Sequence, residues 1–249
     1  KLIHQLLSNY SLQLIDYFDF STNPKIEDIK RGVNLLQQSN AQLIIAIGGG
    51  SVLDMAKSIR FFNNHEGDIE KNNYVQVGKN IPLVALPTTA GTGSETTHFA
   101  VVYKNQVKYS VAHPNILPEM AIIDPIFTYQ TPPYLSACAG FDALAQAIEA
   151  YWNIFATEES DNYAVKAIQL LWKHLPLVIL ENNIESRNLV SEASFYAGKA
   201  INITKTTAPH AFSYPFTSYY NFPHGHAVAL TFPFFMQFNF VKNIKNWNG

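Results

Sequence analysis

The sequence predicts an α/β domain built on a parallel sheet, followed by an all-α domain. Short apolar runs alternate with amphipathic helical stretches through the first half of the chain, a pattern typical of buried parallel strands covered by helices. Beyond residue 135 the helical period dominates and strand signals almost vanish. The segment Thr131-Pro132-Pro133 separates the two patterns. We therefore expect an α/β domain over residues 1–131 and a helical domain over residues 132–249.

The elements of the first half follow the order helix, strand, glycine turn, helix, strand. Apolar residues recur at helical spacing over residues 26–39. The apolar run over residues 43–47 predicts a buried strand, which ends at three consecutive glycines. A helical pattern follows over residues 52–62, and residues 81–86 form a second apolar run. This order is typical of an open α/β sheet with helices on both faces.

The second half contains three long stretches with helical periodicity, over residues 136–153, 159–175 and 186–203. Each places apolar residues three and four positions apart, so that one face can pack against its neighbours. The three stretches predict a helical second domain.

Composition excludes several classes of protein. The formal net charge is −2, and the basic stripe that binds a phosphate backbone is missing, so we expect no nucleic acid partner. No apolar run reaches the ~18 residues of a membrane span, and residues 1–7 lack the pattern of a signal peptide. A single cysteine, Cys138, excludes an intrachain disulfide and fits a reducing compartment. The sequence predicts a cytoplasmic protein without a membrane partner.

Two loops predict a phosphate-binding site. The turn Gly48-Gly49-Gly50-Ser51 lies between a predicted strand and a predicted helix, where backbone N–H groups freed by glycine can bind an anion. The loop Pro87–Glu95 follows the next strand and interleaves hydroxyl groups with two glycines. A tight turn without a ligand and an ordinary Ser/Thr-rich surface loop are the alternatives. Because both loops follow strand ends, together they favour a nucleotide.

Possible metal ligands are sparse in the second half. Asp142, Gln146 and Glu149 lie on nearly one face of a predicted helix, and His210 and His224 follow far downstream. One carboxylate and two imidazoles are the ligand set that holds Fe(II) with open positions, and the same set can hold Zn(II). Core or surface histidines without a metal are the alternative at this point.

Four motifs resemble those of the iron-containing (group III) alcohol dehydrogenase family. They span nearly the whole chain in the family's order and read Gly48-Gly49-Gly50-Ser51-x-x-Asp54-x-x-Lys57, Pro87-Thr88-Thr89-Ala90-Gly91-Thr92-Gly93-Ser94-Glu95, Gly140-Phe141-Asp142-Ala143-Leu144 continuing to Tyr151, and Pro223-His224-Gly225. The resemblance implies a Rossmann-like dinucleotide-binding domain, a helical domain and a divalent metal in the cleft between them, in a dehydroquinate synthase-like architecture. It also implies that the chain is truncated at both ends.

The resemblance assigns residues to two sites. The cofactor-binding positions of the family correspond to Gly49, Gly50, Ser51, Asp54, Thr88, Thr89, Thr92, Ser94 and, near the cofactor ribose, Lys108. The metal-ligand positions correspond to Asp142, Gln146, His210 and His224. The cofactors implied are NAD or NADP together with Fe²⁺, or Zn²⁺ in its place.

The chain departs from the family pattern at two positions. Gln146 stands where most members have a third histidine ligand, and Tyr214 stands where many have a histidine near the substrate. A neutral amide oxygen is a poorer ligand than imidazole for a transition metal, so metal affinity or preference should change. Tyr214 or a water molecule is the candidate proton donor to the alkoxide. His226 matches no ligand position and is interpreted as structural.

Gln146, together with the segments over residues 205–214 and 223–230, most resembles the phosphonoacetaldehyde reductase branch of the family. In that branch the substrate is a short aldehyde with a phosphonate group, and Lys205, with the threonines beside it, is a candidate to hold this anion. A surface lysine on a connecting loop is the alternative.

The implied activity is hydride transfer between a nicotinamide and a small aldehyde or alcohol, in a protein expected to form a homodimer. Three other functions remain open from the sequence. They are a dehydroquinate synthase-like lyase, a polyol-phosphate dehydrogenase, and a metal-poor nucleotide-binding protein without catalytic activity.

Overall fold

The first half of the chain folds around a small parallel sheet. A computed structural model describes residues 5, 10, 12–105 and 107–243. In chain order the elements of this half are α1 (Ile26–Ser39), β1 (Ile44–Gly48), α2 (Gly50–Asn64), β2 (His65–Asp68), β3 (Asn73–Gln76), β4 (Leu83–Pro87), β5 (Phe99–Lys104), β6 (Val107–Ala112) and β7 (Met120–Ala121). The predicted helix over 26–39, the strand–glycine–helix sequence and the second buried strand are all present.

Strand order in the parallel sheet brings the two polar loops together. The order is β1-β4-β7, and β1 pairs with β4 so that Gly48 lies opposite Pro87. The carboxyl ends of both strands therefore meet at one edge, where the Thr88 N–H donates to the Gly48 carbonyl over 2.9 Å. The glycine turn and the second loop both begin at this edge, as expected for a ligand site of an open α/β sheet.

Two antiparallel hairpins, β2–β3 and β5–β6, were not predicted. The β5–β6 hairpin matters for the site because it is fixed to α2, where the Val101 N–H donates to Asp54 Oδ2 over 3.0 Å. Lys108 lies on the second strand of this hairpin, opposite Tyr103. The hairpin therefore connects α2 to the Tyr214 ring, against which Lys108 lies.

All regular elements that the structure describes over residues 132–243 are helices. Its elements are α3 (Pro133–Tyr151), α4 (Glu158–Glu181), α5 (Ile184–Ile203), α6 (Ala208–Tyr220) and α7 (His224–Asn243). The three predicted helices correspond to α3, α4 and α5. The prediction ended the second of them at residue 175, but α4 continues through Pro176 to Glu181, since a proline inside a helix removes one hydrogen bond without always ending it. The domain boundary at residue 131 stays a prediction, and α3 begins two residues beyond it.

Small side chains allow α3, α4 and α5 to pack closely. Ala143, Ala147, Ala167, Ala193 and Ala197 are all fully buried in one core cluster. Because these side chains are short, the helix backbones approach one another and hold α3 in place. The rigid α3 carries three of the polar residues that were singled out from the sequence.

Among the residues that the structure describes, one helix is long and apolar enough to cross a membrane when judged by length and composition alone. This helix is α4, which the search for an uninterrupted apolar run did not identify. It packs against both α3 and α5, and Ala164, Ala167 and Leu171 are fully buried. The core helix of a bundle passes the same test, so α4 is weak evidence for a membrane.

Candidate functional site

The glycine turn leaves the start of α2 open to a ligand. The residue before the helix, Gly49, has extended backbone and no side chain that could cap the helix. The N–H groups of Val52 and Leu53 donate to the Gly49 carbonyl, so the N–H groups of Gly50 and Ser51 are the ones available to a ligand. A Cβ atom on Gly50 would lie 2.6 Å from Thr92 Cγ2. Glycine at position 50 therefore allows the second loop to approach the turn. The arrangement fits the pyrophosphate site implied by the resemblance.

A buried hydrogen-bond network fixes the second loop on α2. The Ser94 hydroxyl donates to Asp54 Oδ1 over 2.5 Å, and Lys57 Nζ donates to Ser94 Oγ and to the Ser94 carbonyl over 3.0 and 2.8 Å. Burial lowers the pKa of Lys57 to about 8, although the neighbouring Asp54 opposes the shift. Asp54 therefore contacts protein groups on both of its oxygens and orders the loop.

Thr89, on the same loop, borders a small, partly open cavity that extends toward the helical half. The cavity is also lined by Thr128, Thr131 and Arg187. Arg187 is buried and donates to the carbonyl oxygens of Thr128 and Thr131, the latter over 2.9 Å. The predicted metal ligands are not among the residues that line this cavity.

The buried carboxyl group of Glu95 should make stability depend on pH. Burial raises the pKa of Glu95 from 4.5 to about 7, so the folded protein binds this proton more tightly than the unfolded chain does. The resulting stabilisation is complete below pH 4.5 and is lost as the pH rises through 7; its size is roughly 3 kcal/mol.

We expect Glu95→Gln to remove this loss from the free energy of unfolding measured in urea between pH 4.5 and 8. The matched control is Glu66→Gln, which changes an exposed carboxylate. If both variants keep the pH dependence of the unaltered protein, Glu95 does not have the raised pKa.

Three predicted metal ligands from three helices come together. Single ligand atoms of Asp142, His210 and His224 all lie within 4.8 Å of one another. Asp142 Oδ1 lies 3.0 Å from His210 Nε2 and 3.8 Å from His224 Nε2. Asp142 and His210 are buried, and His224, the first residue of α7, is partly exposed. The cluster is therefore accessible from one side.

Burial and mutual contacts shift the pKa values of all three residues of the cluster. Burial alone would raise the pKa of Asp142, but His224 and His210 hold it below the ordinary value. Burial lowers the pKa of His224 to about 4, so its ring is neutral at pH 7 with a nitrogen lone pair available. For His210, hydrogen bonds to Asp142 and Glu149 outweigh burial and raise the pKa to about 9.

Gln146 supplies an observation that tests whether these residues fit a metal. Its Nε2 donates to Asp142 Oδ2 over 3.3 Å, whereas its Oε1 is buried and has no hydrogen-bond partner among the described residues. A buried acceptor left unpaired costs about 1–3 kcal/mol. A cation beside Asp142 would satisfy this oxygen. The donor set of one carboxylate, two imidazoles and one amide oxygen therefore fits a divalent metal.

Lys108 and Tyr214 connect the β5–β6 hairpin to the metal-ligand cluster. Lys108 Nζ lies 3.4 Å from the centroid of the Tyr214 ring, and that ring stacks against His224 with the centroids 6.2 Å apart. Lys108 Nζ donates no hydrogen bond to a described residue. Burial lowers the pKa of Lys108 to about 8 and raises the pKa of Tyr214 to about 12.

Lys205 is not part of this cluster. Its side chain is exposed and has no hydrogen bond or ion pair within the part of the chain that the structure describes. Its backbone has a φ of 110°, and its carbonyl accepts from Asn153 Nδ2 over 3.0 Å. The structure thus groups the predicted cofactor residues of the two loops in one place and the predicted ligands in another. Lys108 lies with the ligands, against Tyr214, and Lys205 lies outside both groups.

Sequence reasoning missed the contacts of Glu149. This carboxylate accepts from Thr207 and lies in hydrogen-bond contact with His210 Nδ1. The available signal was its position seven residues after Asp142, on the same helix face.

Comparison with known proteins identifies the family. A model of the iron-containing alcohol dehydrogenases matches residues 1–125. A model of the C-terminal region of the Fe-containing alcohol dehydrogenase family matches residues 136–247. The chain belongs to the iron-containing alcohol dehydrogenase family.

Curated relatives of the family confirm this assignment. The chain is 32% identical over 228 residues to long-chain-alcohol dehydrogenase 1 of Geobacillus thermodenitrificans, covering 88% of this chain and 57% of the relative. It is 32% identical over 242 residues to 1,3-propanediol dehydrogenase of Citrobacter freundii, covering 95% and 62%. The chain therefore spans about three fifths of the length of these relatives.

Solved structures of the family have the same fold. Sulfoacetaldehyde reductase from Bifidobacterium kashiwanohense in complex with NAD+ superposes with a TM-score of 0.86 at 34% identity, covering 95% of this chain and 65% of that one. A 1,3-propanediol oxidoreductase superposes with a TM-score of 0.89 at 30% identity, covering 96% and 64%. The predicted fold class and family are confirmed, and the relation to phosphonoacetaldehyde reductases stays a prediction.

Proposed function

We propose that this chain carries the active site of a metal- and NAD(P)-dependent alcohol dehydrogenase or aldehyde reductase. The observation that supports it best is the cluster of Asp142, His210 and His224 within 4.8 Å. The family match favours this activity over the lyase, polyol-phosphate dehydrogenase and metal-poor alternatives.

Each predicted residue has a role in this proposal. The start of α2 and the second loop bind the dinucleotide through Gly49, Gly50, Ser51, Asp54, Thr88, Thr89, Thr92 and Ser94, and Lys108 binds near the ribose. Asp142, His210, His224 and Gln146 hold the metal, and two imidazoles with one carboxylate favour Fe²⁺, with Zn²⁺ as the alternative. A bound metal would supply Lewis-acid polarisation of a carbonyl group, and a bound nicotinamide would supply the hydride donor or acceptor.

Tyr214 is proposed to hold the proton that the alcohol oxygen acquires. Its pKa of about 12 means that the phenol remains protonated at neutral pH, so that it acts as a donor and not as a base. The Lys108 ammonium group lies over the face of the Tyr214 ring, a cation–π contact that helps to hold the ring in place. A water molecule that relays the proton is the alternative.

The proposed substrate is a short aldehyde that carries an anionic group, with phosphonoacetaldehyde as the specific candidate. The similarity to a sulfoacetaldehyde reductase supports an anionic aldehyde. Lys205 is the proposed contact for the anion, because its side chain is free whereas Thr207 is bound to Glu149. We expect Lys205→Ala to raise KM for phosphonoacetaldehyde about tenfold and to leave KM for acetaldehyde unchanged. A selective increase in Lys108→Ala alone would contradict the assignment to Lys205.

The activity is tested by following NADH and NADPH oxidation with Fe²⁺, Zn²⁺ or no metal against acetaldehyde, phosphonoacetaldehyde and sulfoacetaldehyde. We expect metal-dependent oxidation of one dinucleotide by at least one aldehyde. A metal-loaded protein that binds NADH but reduces none of the aldehydes contradicts the proposed activity. Sedimentation of the same sample tests the proposed homodimer, and a cytoplasmic location is proposed from the buried Cys138 thiol.

A further inference from the structure

We infer that Glu149 is a positioning residue that holds His210 with its Nε2 atom toward the metal. The inference rests on the proposed metal site and adds to it a carboxylate that touches no predicted substrate or cofactor position. It concerns the orientation of a ligand, which the four ligands alone do not fix.

Glu149 is a fully buried carboxylate whose interactions are few and specific. It lies on α3, seven residues after Asp142, with 0% of its surface exposed. Within the described residues it forms no ion pair with lysine or arginine. Its oxygens contact His210 Nδ1, Thr207 N and Thr207 Oγ1. Because a buried charge requires hydrogen bonds to be tolerated, these three contacts account for its presence.

The hydrogen-bond directions around Thr207 follow from the chemistry of tryptophan. Trp152 Nε1 lies 3.0 Å from Thr207 Oγ1, and an indole nitrogen only donates. The Thr207 hydroxyl therefore accepts from Trp152 and gives its own hydrogen to Glu149 Oε2 over 2.9 Å. The Thr207 backbone N–H donates to the same oxygen. Glu149 Oε2 thus has two donors, and Oε1 is left for the imidazole.

The contact with Oε1 sets the orientation of the His210 ring. Glu149 Oε1 accepts from His210 Nδ1–H, so Nε2 is the nitrogen that faces Asp142 Oδ1 at 3.0 Å. A carboxylate on the far nitrogen also makes an imidazole a stronger ligand. This matters more here than with a third histidine, because Gln146 contributes only a neutral amide oxygen.

A purely structural role for Glu149 is the competing interpretation. The same carboxylate holds Thr207, which immediately precedes α6, and could serve only to fix the start of that helix. If Glu149 only fixed the start of α6, loss of the Thr207 hydroxyl and loss of a Glu149 oxygen should weaken metal binding equally. A positioning role requires the contact between Glu149 and His210 to dominate.

The affinity for Zn²⁺ separates the two roles, measured by competition with a chromophoric chelator on the metal-stripped full chain. Glu149→Gln keeps the size of the side chain but replaces one acceptor oxygen by an NH₂ group, and we expect it to weaken Zn²⁺ binding about 10- to 100-fold. Thr207→Val removes the hydroxyl group and leaves the imidazole contact, so we expect a loss smaller than about tenfold. Unchanged affinity in Glu149→Gln, or equal losses in both variants, overturns the inference.

If Glu149→Gln does not fold, a second measurement on the unaltered protein decides between the two roles. The ¹⁵N spectrum of histidine side chains in the unaltered Zn²⁺-loaded protein should show His210 protonated at Nδ1 and coordinated through Nε2. Coordination through Nδ1 overturns the inference. An unaltered protein that binds no divalent metal contradicts the proposed function, whereas normal Zn²⁺ affinity in Glu149→Gln contradicts only the role of Glu149.

Discussion

Asp142→Ala is expected to abolish metal binding and turnover while leaving dinucleotide binding intact. Asp142 is the only predicted ligand with a negative charge, and it lies within 3.8 Å of a ring nitrogen of both His210 and His224. Without it, two neutral imidazoles and a neutral amide oxygen remain, and a divalent metal loses its anionic ligand. The glycine turn at the start of α2 contains no contact with Asp142, so the dinucleotide site should persist.

The test compares bound metal, turnover and NADH affinity from fluorescence in Asp142→Ala and in the unaltered protein. Asp68→Ala, in the β2–β3 hairpin, is the matched control and should keep all three properties. Asp142→Ala removes a hydrogen-bond partner of both His210 and Gln146. Circular dichroism is therefore used to check that the variant is folded. Turnover retained by a folded, metal-free Asp142→Ala protein contradicts the proposed mechanism.

Gln146→His is expected to tighten the binding of Zn²⁺ and Fe²⁺ by at least about tenfold, or about 1.4 kcal/mol. The residue lies one helical turn after Asp142, and its Oε1 is buried without a partner in the described structure. An imidazole at this position is a stronger ligand than an amide oxygen. The substitution also removes an amide group that is only half satisfied.

Chelator competition measures this change, with Gln146→Leu as the matched control. Leucine has similar size and no ligand atom, so we expect weaker binding than in the unaltered protein. Equal metal affinity in the unaltered protein, Gln146→His and Gln146→Leu would show that position 146 does not contact the metal.

Periodicity predicted the elements that are buried on a defined face. The helix α1 and the strands β1 and β4 were found because their apolar residues follow one period over their whole length. The β2–β3 hairpin was missed because its strands are short, largely polar and partly exposed. The β5–β6 hairpin was missed because only some of its side chains are buried, and that burial is decided by tertiary contacts. Pro176 inside α4 obscured the length of that helix, and α6 and α7, which also contain prolines, were not predicted as separate helices.

The site could be predicted only in part from the sequence. Spacing placed Asp142 and Gln146 on one helix face, but only the family resemblance selected His210 and His224 among eight histidines. Their convergence depends on how α6 and α7 pack against α3. The role of Glu149 depends on a partner 61 residues downstream, and no local pattern contains that information. The exposure of Lys205 depends on a loop conformation that spacing does not specify.

The carboxylate of Asp54 links the proposed dinucleotide site to the proposed metal site. One oxygen holds Ser94 on the second loop, and the other holds Val101 on the hairpin that carries Lys108. Through Tyr214 this hairpin reaches the helix that contains His210. If a bound dinucleotide changes the metal affinity by some factor, the bound metal must change the dinucleotide affinity by the same factor. Saturating the protein with one ligand and titrating the other, in both orders, must therefore yield the same ratio.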